Sequence, residues 1–174
     1  MHPWHDLTHG EDAPEIVNVM IEVTNGSSTK YELDKDSGLI KLDRVLFSPM
    51  FYPANYGFIP KTYCDDKDPL DCLVICSVDL MPGCLVDARV IGVMRMIDGG
   101  EGDDKLIAVA DNDAGLAHIK DLSDLPEHKL NQIRVFFQDY KKLEKKEVEV
   151  KEFEGKAVAQ QVVAESIKMY KENF

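Results

Sequence analysis

The spacing of apolar residues changes period near Pro126, and that change sets the architecture. Before it, apolar residues come in short β-branched or alternating runs cut by turn residues; after it, they recur at helical spacing. Ile16 to Val23 reads IVNVMIEV and is closed by Asn25-Gly26, a hairpin signal. Lys30 to Asp34 alternates, with Tyr31 and Leu33 on one face and Lys30, Glu32 and Asp34 on the other. Asp36-Ser37-Gly38 is a turn, and Leu39 to Leu46 resumes the sheet. An irregular stretch rich in Pro and aromatics follows, in which core packing accounts for Phe51 and Phe58. Further strands are expected at Leu70–Val78, Leu85–Ile97 and Lys105–Ala110, and short strands separated by turns predict a closed or partly closed barrel. Beyond Pro126, the spacing of Leu130, Ile133, Phe137 and Tyr140 predicts a helix. A short strand at Val148–Phe153 ends at Gly155. A second helix is expected over Ala157–Lys171, with Ala159, Val163, Ile167 and Tyr170 on one stripe. No repeat, linker or break in composition divides the chain. The expectation is one α+β, mainly β domain over residues 1–174, with 1–14 as an N-terminal extension.

Charge narrows the possible partners. The chain of 174 residues carries 32 acids and 20 bases, a net charge of -12. The excess falls entirely before residue 120, with 21 acids against 9 bases there and 11 of each after it. Such a field repels nucleic acid and anionic lipid. A non-catalytic barrel module binding single-stranded nucleic acid would need a basic groove where this chain places its acids. No apolar run is long enough for a membrane-spanning helix, and the N-terminus lacks the pattern of a signal peptide. Cys64, Cys72, Cys76 and Cys84 contain no C-x-x-C pair, which argues against a structural zinc site. Free thiols predict a reducing, cytoplasmic setting.

Much of the acidity sits in two windows, Asp65-Asp66-Lys67-Asp68-Pro69-Leu70-Asp71 and Asp98-Gly99-Gly100-Glu101-Gly102-Asp103-Asp104-Lys105. Two carboxylates ~4 Å apart repel by about 4 kcal/mol at an effective dielectric near 20. Such groups diverge into solvent, share protons or bind cations. On spacing alone, a solvated acidic loop is the simpler reading. A calcium loop starting at Asp66 fails, because Leu70, Asp71 and Ser77 stand where it needs an oxygen ligand, Gly and Glu. The glycines around Glu101 fit neither a dinucleotide fingerprint nor a P-loop. The remaining alternative is a hard-cation site of Mg²⁺ type, with Asp98 and Asp103 joining the first window. Carboxylates with basic and phenolic groups nearby suit hydrolysis at phosphate oxygens, and metals between them reconcile an acidic protein with an anionic substrate.

Seven motifs carry a resemblance over about Pro14 to Lys171. They are Val19-Met20-Ile21-Glu22, Lys30-Tyr31-Glu32, Asp43-Arg44, Phe51-Tyr52-Pro53-Ala54-Asn55-Tyr56-Gly57-Phe58-Ile59-Pro60, Asp66-x-Asp68-Pro69-Leu70-Asp71, Asp98…Asp103-Asp104-Lys105, and Phe136-Phe137-x-x-Tyr140-Lys141. Each is weak alone; in this order and spacing the chain resembles the soluble inorganic pyrophosphatases of family I, of the short archaeal and bacterial type. The resemblance implies a five-stranded OB-type barrel with two main flanking helices. It also implies Mg²⁺-dependent hydrolysis of pyrophosphate to two orthophosphates by a metal-activated water. Several Mg²⁺ per site are expected, with Mn²⁺ or Zn²⁺ as substitutes and Ca²⁺ as inhibitor. By motif position, Asp66, Asp71 and Asp103 match the tight metal ligands, and Asp98 matches a ligand shared between metals. Glu22 matches the residue that orients waters on the metals. Asp68 matches the general base.

The resemblance places Lys30, Arg44, Tyr140 and Lys141 on the phosphates, with Tyr56 and Lys105 closing the cavity and Glu32 and Tyr52 in its wall. It further implies a homohexamer. Each donor also has a plain structural reading. Lys30 with Glu32 fits a surface pair, Arg44 a local pair with Asp43, Tyr140 a core position, and Lys141 a helix-end charge. Asp65 and Asp104 have no counterpart role and are expected in solvent. Lys67, Gly99 and Glu101 depart from the usual family pattern. His2, His5 and His9 suggest a disordered or docked tail rather than a metal site.

Overall fold

The computed structural model describes all residues, Met1–Phe174. Nine strands and two helices follow in order: β1 (Ile16–Val23), β2 (Thr29–Leu33), β3 (Ile40–Val45), β4 (Asn55–Phe58), β5 (Asp71–Ile75), β6 (Leu85–Asp98), β7 (Glu101–Gly102), β8 (Lys105–Ala110), α1 (Glu127–Asp139), β9 (Val148–Gly155) and α2 (Lys156–Asn173). Strands β1, β4, β5, β8 and β6 pair in that order, and β6 pairs back onto β1. That closes a five-stranded barrel with no free edge. Strand β5 runs parallel to β8, while every other pairing is antiparallel. Strands β7 and β9 extend from the far half of β6, and β2–β3 form a separate ribbon. No helix is long and apolar enough to cross a membrane.

The barrel strands are buried on both faces, which explains why several read as continuous apolar runs. In β8, Ile107 and Val109 join the cluster under α1, which Ile133, Phe136 and Phe137 of the helix and Tyr140 at its C-terminal cap fill. Leu106, Ala108 and Ala110 face the other way, toward Ala159 and Val163 of α2. Strand β5 alternates likewise, with Leu73 in the first cluster and Cys72 and Val74 in the second. The helical stripe of α2 matches its sequence pattern, with Ile167 packed against the second cluster and Tyr170 against a third.

Three expectations need correction. Asn25-Gly26 does not turn β1 back onto β2. Its amides go instead to the Asn55 side chain at 3.0 Å and the Tyr52 carbonyl at 2.9 Å, and β1 pairs with β4 and β6. The Pro- and aromatic-rich stretch is not wholly irregular, because it contains β4, buried along its length. Gly57 is what lets β4 cross β1 so closely: a Cβ there would lie 1.9 Å from the Met20 carbonyl oxygen. Phe58 is core, but Phe51 is 64% exposed. The N-terminal segment is docked, with Trp4 buried beside Met20, Leu33 and Phe58.

Candidate active site

Chain direction brings both acidic windows to one end of the barrel. Because β5 and β8 are parallel, both start there, and their register sets Asp71 beside Lys105. The loop before β5 supplies Asp66 and Asp68; the turn from β6 to β8 supplies Asp98 and Asp103. Glu22 lies near the end of β1, where β4 brings Tyr56 across from Val23. These groups line one cleft of about 370 Å³.

Four lysines meet carboxylates in the cleft. Lys105, only 3% exposed, donates to Asp71 at 2.5 Å and to Asp103 at 2.8 Å. Lys141 bonds Asp98, and Lys35 pairs with Asp68. Beside them, Lys30 sits 3.0 Å from Glu32 and 3.4 Å from Asp43. Burial opposes the Lys105 ammonium, yet Asp71 and Asp103 outweigh it and hold its pKa well above lysine's ordinary value. Burial raises Asp103 too, against the pull of Lys105. Burial also drives Glu22 up to about 8, with repulsion from Asp71 adding and the Leu33 amide, donating at 2.7 Å, subtracting. Asp66 is pushed up to about 7 by burial and by Asp103, Asp71 and Asp68. Burial raises the phenols of Tyr52, Tyr56 and Tyr140, so they stay neutral donors.

The cleft gathers Glu22, Lys30, Glu32, Tyr52, Tyr56, Asp66, Asp68, Asp71, Asp98, Asp103, Lys105, Tyr140 and Lys141 from the sequence-derived set. Arg44 is not in its lining. It pairs with Asp43 and lies 3.0 Å from Glu144, one carboxylate removed from Lys30. Asp104 is not free in solvent either, since Arg95 holds it at 2.6 Å. Sequence reasoning missed Lys35, an exposed turn lysine carrying no periodic signal. The plain readings of Lys30, Arg44 and Tyr140 hold: the pairs with Glu32 and Asp43 exist, and Tyr140 is core. Glu101 lines the cleft, whereas Lys67 is exposed with a positive φ of 66°.

The donor set fits hard cations. Eight carboxyl groups and four ammonium groups line the cleft, a surplus of acid that together with burial raises Glu22 and Asp66 above the usual carboxylate range. No three of the acids converge tightly enough to cage a bare ion. One or two carboxylates per ion, with water in the remaining positions, is what Mg²⁺ takes, because it sheds its hydration shell reluctantly. Asp66, Asp71, Asp98, Asp103 and Glu22 are the groups available to hold it.

Comparison with known proteins agrees with this geometry. The family model described as inorganic pyrophosphatase matches residues 19–171. Soluble inorganic pyrophosphatase 1 of Arabidopsis thaliana is 53% identical over 171 residues, covering 98% of this chain and 81% of that protein. Soluble inorganic pyrophosphatase 2 of Chlamydomonas reinhardtii is also 53% identical, over 99% of this chain and 90% of its own. The crystal structure of inorganic pyrophosphatase from Thermus thermophilus superposes with a TM-score of 0.94 at 44% identity, covering 97% of this chain and 99% of that one. A model spanning most of the chain, relatives above half identity and a shared barrel leave one conclusion: the chain belongs to the inorganic pyrophosphatase family.

Proposed function

We propose that this protein is an inorganic diphosphatase that hydrolyses pyrophosphate to two orthophosphates in the presence of Mg²⁺. The observation that carries the reading is the gathering of two acidic windows, four lysines and three buried tyrosines in one cleft of a pyrophosphatase-family barrel. Asp66, Asp71, Asp98, Asp103 and Glu22 would hold several Mg²⁺ ions. Bound there, Mg²⁺ neutralises the anion and makes a coordinated water more acidic. Asp68 would take a proton from the attacking water; its half-exposed carboxylate and its single charge partner, Lys35, support that role. Lys30, Lys141 and Tyr140 would hold the phosphate oxygens, and Arg44, outside the lining, would join them only by turning from its pairs with Asp43 and Glu144. Lys105 and Tyr56 close the cavity, and Glu32 and Tyr52 fix its wall. These donors become more stabilising as charge builds on the leaving oxygens, and that difference lowers the barrier.

Mn²⁺ or Zn²⁺ would substitute for Mg²⁺, and Ca²⁺, larger and less demanding in geometry, would occupy the site and inhibit. The reading extends to a homohexamer, checked by sedimentation mass, and to a cytoplasmic setting, supported by four free thiols. The decisive experiment is phosphate release from pyrophosphate with Mg²⁺ titrated from zero and Ca²⁺ as competitor. Rapid release that requires Mg²⁺ and collapses with Ca²⁺ is expected. Absence of release from folded protein at any Mg²⁺ level, or cleavage of nucleotides with pyrophosphate spared, would overturn the reading.

A further inference from the structure

The docked N-terminal segment touches the two stretches that bring the acidic loop and its lysine to the cleft. Trp4 is 4% exposed and packs on Met20, Leu33 and Phe58; Leu33 and Phe58 are themselves cleft wall. Lys61 N donates to the Trp4 carbonyl at 2.9 Å, and the indole Nε1 donates to the Thr62 carbonyl at 2.8 Å. That stretch runs on to Asp66 and Asp68. On the opposite side, a His2 ring nitrogen lies 2.9 Å from the Lys35 carbonyl. The Lys35 ammonium stands 5.8 Å from the Trp4 ring centroid and pairs with Asp68. His5 stacks on the indole with ring centroids 4.6 Å apart, and its Nδ1 lies 2.7 Å from the Tyr170 hydroxyl.

We propose that Trp4 is a positioning residue for hydrolysis. The N-terminal strap fixes the stretch after β4 against the turn after β2 and, through Lys35, sets the carboxylate of Asp68. A half-exposed lysine is not held in one rotamer by an ion pair alone. The indole beneath it restricts its choices, and the Lys61 amide bond to the Trp4 carbonyl and the indole bond to the Thr62 carbonyl hold the Asp68 loop in register. The role of Asp68 rests on the reading given above; the strap's hold on the loop does not.

The test compares Trp4→Ala, Trp4→Phe, Lys35→Met and the double variant Trp4→Ala/Lys35→Met. Steady-state kinetics at saturating Mg²⁺ are paired with amide hydrogen exchange of the metal-free protein. Trp4→Ala is expected to lower kcat roughly tenfold with KM within about twofold, because a misplaced group costs turnover more than binding. Lys35→Met should lose a similar factor, and Trp4→Phe, which keeps a ring under Lys35, should restore most of the loss. The double variant should fall no further than the worse single one, since both act through one contact. Amides from Thr62 to Asp68 should exchange faster in Trp4→Ala. Unchanged kcat in Trp4→Ala, or losses that multiply in the double variant, would overturn the proposal. If Trp4→Ala does not fold, Lys35→Met decides, and unchanged kcat there overturns it. If the unaltered protein releases no phosphate, the hydrolytic reading falls alone. Hydrogen exchange then judges the strap: unchanged protection from Thr62 to Asp68 rejects it, and faster exchange confined there sustains it.

Discussion

Asp68 and Asp71 sit three positions apart and meet opposite environments. Asp71 is bonded to a lysine almost wholly removed from water, whereas Asp68 and its partner Lys35 are both about half exposed. The first arrangement fixes a carboxylate; the second leaves one open to solvent, as the base role proposed for Asp68 requires. Asp68→Asn keeps size and polarity and removes only that capacity. Turnover should fall by roughly 10²–10⁴-fold, the usual worth of a general base. Mg²⁺ affinity by calorimetric titration and the unfolding midpoint should stay near normal. Near-normal turnover would take Asp68 out of the base role. The carboxylates were legible because crowding like charges is costly wherever it occurs, so the pattern itself demanded an explanation. Lys35 and Trp4 were not. A turn lysine and a lone aromatic near a terminus have no period, and only the fold reveals that they meet.

Elements with a clear helical period or a long β-branched run were read well, even where both faces are buried, as in β8; the short strand β4 was not. Strand β1 and helix α2 matched their patterns because a run of β-branched residues, or a stripe at helical spacing, has few other uses. Strand β4 escaped notice because it is short, buried throughout and contains a glycine that usually signals a turn. The Asn25-Gly26 turn was legible, but not its partners, since the sequence does not tell which groups receive its amides. Gly57 gives the element-scale prediction. A methyl group there would overlap the Met20 carbonyl, so β1 and β4 must part or shift register. Gly57→Ala should therefore destabilise by about 3 kcal/mol or more, at the upper end for overpacking. Urea unfolding followed by circular dichroism checks this, and a loss below about 0.5 kcal/mol, the range of neutral surface changes, would mean the crossing has slack.

For the whole molecule, the acid surplus of the cleft makes stability depend on pH and on metal. Glu22 is raised from 4.5 to about 8 and Asp66 from 3.8 to about 7, so the folded protein retains protons that the unfolded chain has released. Their contribution is complete below about pH 4 and is lost as pH rises through about 7 and 8. Metal-free protein should thus melt at a lower temperature near pH 8.5 than near pH 5.5, by an amount worth a few kcal/mol, most of it from the more deeply buried Glu22. Glu22→Gln should flatten that slope, because the amide mimics the protonated form. Added Mg²⁺ should raise the midpoint more at the higher pH, where its ligands are already ionised. Calorimetric melting with and without chelator measures both effects, and a midpoint indifferent to pH would remove both raised carboxyls. The parallel pairing of β5 with β8 has a further consequence, for the order of folding. Lys105 is 34 residues from Asp71, and Lys141 is 43 from Asp98. No hairpin or helix formed early brings those opposed charges together, and such distant pairings form slowly. Recovery of activity after denaturation therefore trails the return of helix and times the closure of the barrel.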